Sequence, residues 1–576
     1  MIVWCLISIG MIAFLLRIGN LAGPDIAGDD ALYAMRSIGW VDYVAATNRQ
    51  STPVSWFAEK QWWQGLSFHD APPLVFAVQW IFFKLGGDNP WAARLPFVLA
   101  GMLAILAIFL AGRQLAGAWA GLASAAALGI MNYAVFASRT GVLDGFLVLW
   151  IALACFFFLK AERRPINYLW WGAALGAGLL TKYTFVFVLP VFLFVMLLWR
   201  RPDFKKGVFC AGIALCFFLL TPVIIYNVEM FKTRGHPDAA LSTLIGQHPS
   251  DFSGLTREFT RPPNPFAGFT DLAQRNFSVG LLMLLVISVV AMGYRVAKDK
   301  TRRPGYALVV LGAVAALLML TFLGVADRFG MVLLPFIALL LGSGSIWIIE
   351  RADRRWRIAF KAFIAIVMVW EVVFAIQTQW LAEPIVRSGL LVAANRPIFM
   401  GYHELDQYVE NFYRKFPEPS PIVIFKDDPQ LATYQRTRIE TNLKSHPNGP
   451  FQKHLLVFDD RMRWFAWVWI FERRRLYDAD PIHSIGQFIE KIETRGPVFY
   501  TSLGLEDVTI IVADDHNRED AGAADDSRTL FVRNLEAETK SVDEIRDADG
   551  HALFKIFRLP LALGGQAPAP ATRSPQ

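Results

Sequence analysis

Two adjacent carboxylates, Asp29 and Asp30, stand a few residues beyond the long apolar run that opens the chain. Like charges beside hydrocarbon are costly, so such a pair needs either a solvated loop or a task. A loop start that caps the following "ALYAMRSIGW" would satisfy the first demand. Other ionisable groups stand at the ends of apolar segments. Asp144 lies in "ASRTGVLDGFLVLW", five residues after Arg139, and Lys182 lies in "GLLTKYTFVFVLP". His69 and Asp70 precede "APPLVF", where two prolines stiffen the chain, and Arg328 opens a later apolar run. Each has a plain explanation: an Arg139–Asp144 pair, a Lys182 that snorkels to the interface, a polar turn at 69–70. Gathered on one membrane face, Asp29, Asp30, Asp70, Asp144, Arg139 and Lys182 suit chemistry on a phosphorylated lipid. A carboxylate can take a proton from a hydroxyl, and cations can stabilise a leaving phosphate.

Whether they share a face depends on the elements that carry them. Of 576 residues, 55% are hydrophobic and only 18% charged, against about 25% in soluble domains. The mean hydropathy of +0.38 calls for several membrane spans. A rule of about 20 apolar residues per span gives about eleven candidates: 2–22, 91–112, 117–137, 141–159, 167–181, 183–199, 207–227, 277–294, 305–323, 329–349 and 358–378. The stretch 73–86 is apolar but short. With Met1 in the cytoplasm, the inside turns hold Arg113; Lys160, Arg163 and Arg164; Arg200, Arg201, Lys205 and Lys206; five basic residues over 295–303; and Arg351, Arg354, Arg355 and Arg357. The short outside turns hold one cation each, Arg139, Lys182 and Arg328. That asymmetry orients the chain and puts the candidates outside. "GAWAGLASAAALG" and "GAALGAG", with Gly172 and Gly176, carry small residues that let helices approach closely.

Three outer segments are long. The first, 23–90, contains "PVSWFAEKQWWQGLSF", which predicts a helix along the interface. The second, 228–276, is rich in Pro, Gly, Thr and Asp. Beyond about 380 the pattern changes: "PIVIF", "HLLVF", "GPVFY", "VTIIVA" and "TLFV" are strand signals and "SIGQFIEKIET" is helical. The expected plan is a transmembrane domain over 1–380, an extracytoplasmic α/β domain over 381–563 that shapes acceptor access, and a disordered tail over 564–576. The net charge of +7 comes without a basic, aromatic-interleaved stripe, which sets nucleic acid aside. Cys5, Cys155, Cys210 and Cys216 lie in apolar runs without CxxC spacing, which argues against zinc and disulfide frameworks. The N-terminus lacks a basic n-region and cleavage site and reads as a retained first span.

The pattern resembles the GT-C membrane glycosyltransferases, specifically the group of protein O-mannosyltransferases and lipid A aminoarabinose transferases. "GDDALYA" resembles that group's acidic pair with a following Tyr on the first outer loop. "FHDAPPLVFAVQW" resembles its paired-proline segment, "ASRTGVLDGFLVLW" its Asp opening the fourth span, and "WWGAALGAGLLTKYTFVFVLP" its Gly-rich span ending in Thr-Lys. The resemblance covers about 10–225. It implies a GT-C fold and an inverting glycosyltransferase using a polyprenyl- or dolichyl-phosphate sugar. Asp29 would be the catalytic base, Asp30 its neighbour and Tyr33 a phosphate contact. The aminoarabinose transferases have Lys and Arg, both phosphate-binding, where this chain has Ala71 and Leu32. The leaving phosphate would then fall to Lys182, Arg139 or Arg328.

The expectation is therefore transfer of a sugar to an acceptor hydroxyl on a lipid, glycan or protein, at the outer face of a bacterial inner membrane. A membrane transporter or lipid flippase with an outer receptor domain is the alternative. It would require ionisable residues near mid-bilayer and a repeat of spans. No cofactor is expected. A divalent metal between His69, Asp70, His236 and His248 is the less favoured reading, solvated loop histidines the favoured one.

Overall fold

A computed structural model describes residues 1–43, 53–252, 265–300, 302–416, 418, 420, 429–445, 451–518, 527–547 and 549–561. The chain forms two compact units: Met1–Ala22 with Trp62–Pro397, and Gly23–Gln61 with Ile398–Gln576. The sequence reading drew one boundary near 380. The contacts instead assign residues 23–61 to the C-terminal unit and 381–397 to the helical unit.

The first unit is helical, and each of the eleven apolar segments carries helix over most of its length. Among the described residues seven helices are long and apolar enough to cross a membrane: Pro90–Ala116, Leu143–Ala161, Gly207–Arg234, Val279–Lys298, Arg303–Leu323, Asp327–Arg351 and Arg354–Gln379. Ile2–Ile18, Leu74–Gly86, Ala118–Ile130 and Tyr183–Trp199 are apolar but shorter, and Asn167–Thr181 runs 15 residues. The chain is a multi-pass membrane protein, as the sequence implied.

Small residues set the packing as expected. A Cβ on Gly172 would overlap the Gly212 backbone, and one on Gly212 would overlap the Tyr168 carbonyl. The Asn167–Thr181 and Gly207–Arg234 helices therefore touch backbone to backbone, which any side chain at either position would prevent. Gly112 and Gly121 make the same kind of contact: a Cβ on Gly112 would come within 2.9 Å of Gly121 Cα. Arg17, 1% exposed, joins two more helices. Its guanidinium donates to the carbonyls of Gly129 (2.7 Å) and Leu128 (3.1 Å) at the end of Ala118–Ile130.

The second unit holds a five-stranded sheet: β1 (His454–Phe458), β2 (Ile482–Ser484), β3 (Asp507–Ala513), β4 (Asp543–Arg546) and β5 (Ala552–Pro560). Its order is β2-β1-β3-β5-β4. β2, β1 and β3 are parallel, while β5 runs antiparallel to both β3 and β4. "HLLVF" and "VTIIVA" are β1 and β3, nearly continuous apolar runs suited to strands covered on both faces. "SIGQFIEKIET" is the Ile485–Arg495 helix, opened by a capping box in which Gln487 N–H donates to Ser484 Oγ at 3.2 Å. Leu455, Val457, Val508, Ile510, Phe488, Tyr500 and Leu535 make the core.

Three local expectations fail. "TLFV" and "GPVFY" lie in or beside helices, Ser527–Glu538 and Phe499–Ser502. Short apolar runs do not by themselves separate strand from buried helix. "PVSWFAEKQWWQGLSF" forms one short 3₁₀ turn, Pro53–Trp56, followed by bends and turns rather than a helix. "PIVIF" and the tail 564–576 lie outside the described residues.

Candidate active site

The two units divide the candidates. Asp29, Asp30 and Tyr33 belong to the α/β unit; His69, Asp70, Arg139, Asp144, Lys182 and Arg328 belong to the helical unit.

In the helical unit, Asp144 stands in the first turn of the Leu143–Ala161 helix and is 1% exposed. Gly145 allows this: a Cβ there would overlap the Ala137 carbonyl. Lys182 ends the Asn167–Thr181 helix in an extended conformation, and its Nζ donates to Asp144 Oδ2 at 2.5 Å. Asp144 Oδ1 is buried and accepts no hydrogen bond from the described residues. Lys182 also lies over the Phe329 ring at 4.9 Å, and the exposed Arg328 lies over the same ring at 5.0 Å. Two cations thus meet at one aromatic ring, and one of them, Lys182, is paired with a buried carboxylate.

The helical turn that carries Arg328 and Phe329, at the start of Asp327–Arg351, is fixed from behind. Asp327 accepts from Asn276 Nδ2 (2.8 Å) and pairs with Arg275 (2.8 Å), and its carbonyl accepts from the Tyr133 hydroxyl. Asn132 N–H and Ser278 Oγ in turn donate to Glu371, at 2.9 and 2.5 Å. Glu371 is fully buried inside a span, yet both carboxylate oxygens are occupied, so it serves as a packed anchor.

Arg139 does not pair with Asp144. Its guanidinium donates to the carbonyls of Leu16 (3.2 Å), Arg17 (2.8 Å), Gly19 (2.5 Å), Asn20 (2.9 Å) and Gln379 (3.2 Å). Four of these are orphan carbonyls at and just past the end of the first helix, which a cation caps well. A guanidinium so engaged has little left for a phosphate.

His69 and Asp70 lie 3.8 Å apart. The His69 carbonyl accepts from Ala239 N–H at 2.7 Å, and its ring stacks on Phe252. The His236 ring nitrogens face the Pro237 carbonyl (2.8 Å) and Asp251 (3.0 Å).

Sequence reasoning missed Asp238. It is 0% exposed and takes hydrogen bonds from Tyr183 (2.5 Å), Asn227 (3.0 Å) and Leu241 N–H (2.9 Å). Burial pushes its carboxyl above the usual range, and the nearby Asp70 charge adds to that, against those hydrogen bonds. Asp251 moves the other way. Burial would raise it, but hydrogen bonds from Arg234 and His236 outweigh that and hold it low. In sequence Asp238 and Asp251 look like ordinary loop acids. The clue was Tyr183, directly after Lys182, whose hydroxyl needs a partner once its ring is buried.

In the α/β unit, Asp29 and Asp30 occupy the first turn of the Asp29–Gly39 helix, where carboxylates complement the helix dipole. Asp29 is partly exposed and Asp30 is 5% exposed. Tyr33 is buried, and its carbonyl accepts from Ser37 Oγ at 2.7 Å.

Residues 70–226 match the family model described as dolichyl-phosphate-mannose-protein mannosyltransferase. The match takes in Asp70, Arg139, Asp144 and Lys182 but begins after Asp29. Two proteins of Bacillus subtilis (strain 168) are similar: "Putative mannosyltransferase YkcB", 29% identical over 28% of this chain, and "Putative mannosyltransferase YycA", 29% identical over 26%. The matched stretch spans less than a quarter of either relative's length, 24% and 22%. Over nearly its whole length the chain has the fold of ArnT from Cupriavidus metallidurans. The apo form gives a TM-score of 0.54 with 15% identity over 97% of both chains. The undecaprenyl phosphate complex gives 0.54 with 13% identity, over 100% of this chain and 99% of that one. The Archaeoglobus fulgidus oligosaccharyltransferase in its apo form gives 0.52 with 14% identity, over 98% of this chain and 77% of that one.

Proposed function

We propose that the protein is an inverting glycosyltransferase that moves a sugar from a polyprenyl-phosphate donor to an acceptor hydroxyl. The supporting observation is the Asp144–Lys182 pair with Arg328 against the same Phe329 ring, since Lys182 and Asp144 fall in the segment that matches a mannosyltransferase family model. A protein of the same fold binds undecaprenyl phosphate, which agrees with a lipid-phosphate donor.

The reaction runs as a single displacement. Asp29 takes the acceptor's hydroxyl proton as that oxygen attacks the anomeric carbon. The bond from that carbon to the phosphate oxygen breaks, the configuration inverts, and polyprenyl phosphate leaves. Lys182 and Arg328 neutralise the charge that grows on the leaving phosphate, where such stabilisation is worth most. Asp144 holds Lys182 in place and, through Oδ1, can accept from a sugar hydroxyl. Arg139, engaged with backbone carbonyls, takes no part. The site works at the outer face of a bacterial inner membrane, with the N-terminus in the cytoplasm and the α/β unit outside.

The test is purified protein incubated with a panel of radiolabelled polyprenyl-phosphate sugars and an envelope extract as acceptor. One donor is expected to lose its label to the acceptor, releasing polyprenyl phosphate in equal amount, and Lys182→Met should lower the release at least about 10-fold at subsaturating donor. Release unchanged in Lys182→Met would overturn the assignment of the phosphate site.

A further inference from the structure

The Asp29–Gly39 helix is held at both ends by the C-terminal part of its own unit. Before the helix, the Asp25 carboxylate is 4% exposed and accepts from the N–H groups of Met400 (2.5 Å) and His403 (2.7 Å). His403 lies in the first turn of the Tyr402–Lys415 helix, so Asp25 caps that helix from a distant part of the chain. The Asp25 N–H donates to the Ile398 carbonyl at 2.9 Å. Next, Gly28, at φ 61°, donates its N–H to the Trp464 carbonyl. A side chain would be strained at that φ. Trp464 and Phe465 themselves sit at φ 59° and 52°, a backbone state that non-glycine residues keep only where their surroundings enforce it.

The far end is fixed by the same stretch of chain. The Met35 carbonyl accepts from the Tyr477 hydroxyl at 2.7 Å, and a Cβ on Gly39 would overlap the Tyr477 ring. Beyond the helix, the Tyr43 hydroxyl donates to Glu472 Oε2 at 2.8 Å, while Arg475 donates to Oε1 at 2.7 Å. Glu472 is 2% exposed and ends a π-helical turn, Val468–Glu472, a geometry found mostly at functional sites.

We propose that Asp25 and Glu472 are positioning residues for Asp29, and that the α/β unit is the scaffold that sets where the base stands. This rests on the reading of Asp29 as the base. Two buried carboxylates, one at each end, tie the acidic helix to residues more than 370 positions away. Packing alone would need neither. The arrangement gives the C-terminal unit a part in the chemical step in addition to shaping acceptor access.

The experiment uses the full chain in detergent and compares Asp25→Ala, Asp29→Asn and the double variant. Single-turnover transfer and donor dissociation constant are measured for each. Asp25→Ala is expected to slow transfer about 10²-fold, the scale of a base displaced by about 1 Å, with donor affinity within about threefold of the parent. In the Asp29→Asn background it should cost nothing further, because groups that act as a unit are not additive. Asp25→Asn, which keeps one acceptor oxygen, should recover part of the rate. Normal transfer in a folded Asp25→Ala chain, with Asp29→Asn still impaired, would overturn the positioning role and leave the base assignment standing. A loss that multiplies with that of Asp29→Asn would overturn it too. Normal transfer in Asp29→Asn would remove the base and the inference together. Should Asp25→Ala fail to fold, Tyr43→Phe, which deletes one hydroxyl at the opposite end, takes its place with the same expected pattern.

Discussion

The Lys182–Asp144 pair can be separated into a stability part and a chemical part. Their side chains are 16% and 2% exposed, and the contact is 2.5 Å. Lys182→Met removes the cation but keeps most of the stem's packing. Asp144 is then a buried carboxylate that has lost its ion-pair partner. Breaking a buried pair from one side costs about 3–5 kcal/mol, mainly through the charge left behind. Replacing both partners with apolar groups of similar shape is close to neutral, about 1 kcal/mol or less. Lys182→Met should therefore lose about 3–5 kcal/mol, and Lys182→Met with Asp144→Leu should regain most of it. Equilibrium unfolding in mixed micelles, run as a double-mutant cycle, measures this. If Lys182 also holds the donor phosphate, stability returns but function does not. A charged hydrogen bond of about 1.5–3 kcal/mol corresponds to a loss of donor affinity of about 10–150-fold. A double variant that is stable, binds donor and transfers at the parent rate would refute the phosphate role and leave Lys182 a purely structural cation.

Asp29→Asn should lower single-turnover transfer about 10²–10⁴-fold with donor affinity unchanged or improved, whereas Asp30→Asn should cost less. A larger loss at Asp30, measured in the same assay, would move the base by one residue. In a cysteine-free background, Lys415→Cys should react with an impermeant maleimide in intact cells and Arg163→Cys should not; the reverse pattern would invert the topology. His483, buried in β2 against the Tyr500 hydroxyl, is pushed down to about 3 by burial, with Arg475 and Lys491 adding to the effect. Unfolding lets it take up a proton below about pH 6.5, so stability present at neutral pH is lost as pH falls from there toward 3. The slope is about 1.4 kcal/mol per pH unit. Hydrogen exchange of the β1 and β3 amides, corrected for intrinsic rates, should show the loss between pH 6.5 and 5, and His483→Gln should flatten it.

Much of the helical unit was legible because membrane spans announce themselves. The runs are long, the basic turns alternate, and the glycines at 121, 172 and 176 stand where helices touch. Asp144 and Lys182 were legible for the same reason, since an ionisable group at the end of an apolar helix is conspicuous. Their mutual pairing was not. Arg139 is nearer to Asp144 in sequence, and only the orphan carbonyls at the end of the first helix explain why it turns away. Glu371 and Arg17 escaped notice because the partners that make them tolerable, Asn132 and Ser278 for one, Leu128 and Gly129 for the other, lie in distant helices. In the α/β unit, strands of continuous apolar residues were found where they were long. Four-residue runs such as "TLFV" carried no period and went to helix.

The acidic pair shows most sharply what local pattern leaves out. Sequence reasoning placed Asp29 on a loop of the membrane domain, since the flanking segments are membrane helices. The structure gives residues 23–61 to the α/β unit, through Asp25, Gly28, Met35 and Tyr43. Each of these contacts joins chain segments hundreds of residues apart, so none leaves a local trace beyond a single Gly or Asp. A base on a free loop would be ordered anew in every turnover. On a helix capped at one end by Gly28 and tied down at both, that ordering entropy is spent once, at folding.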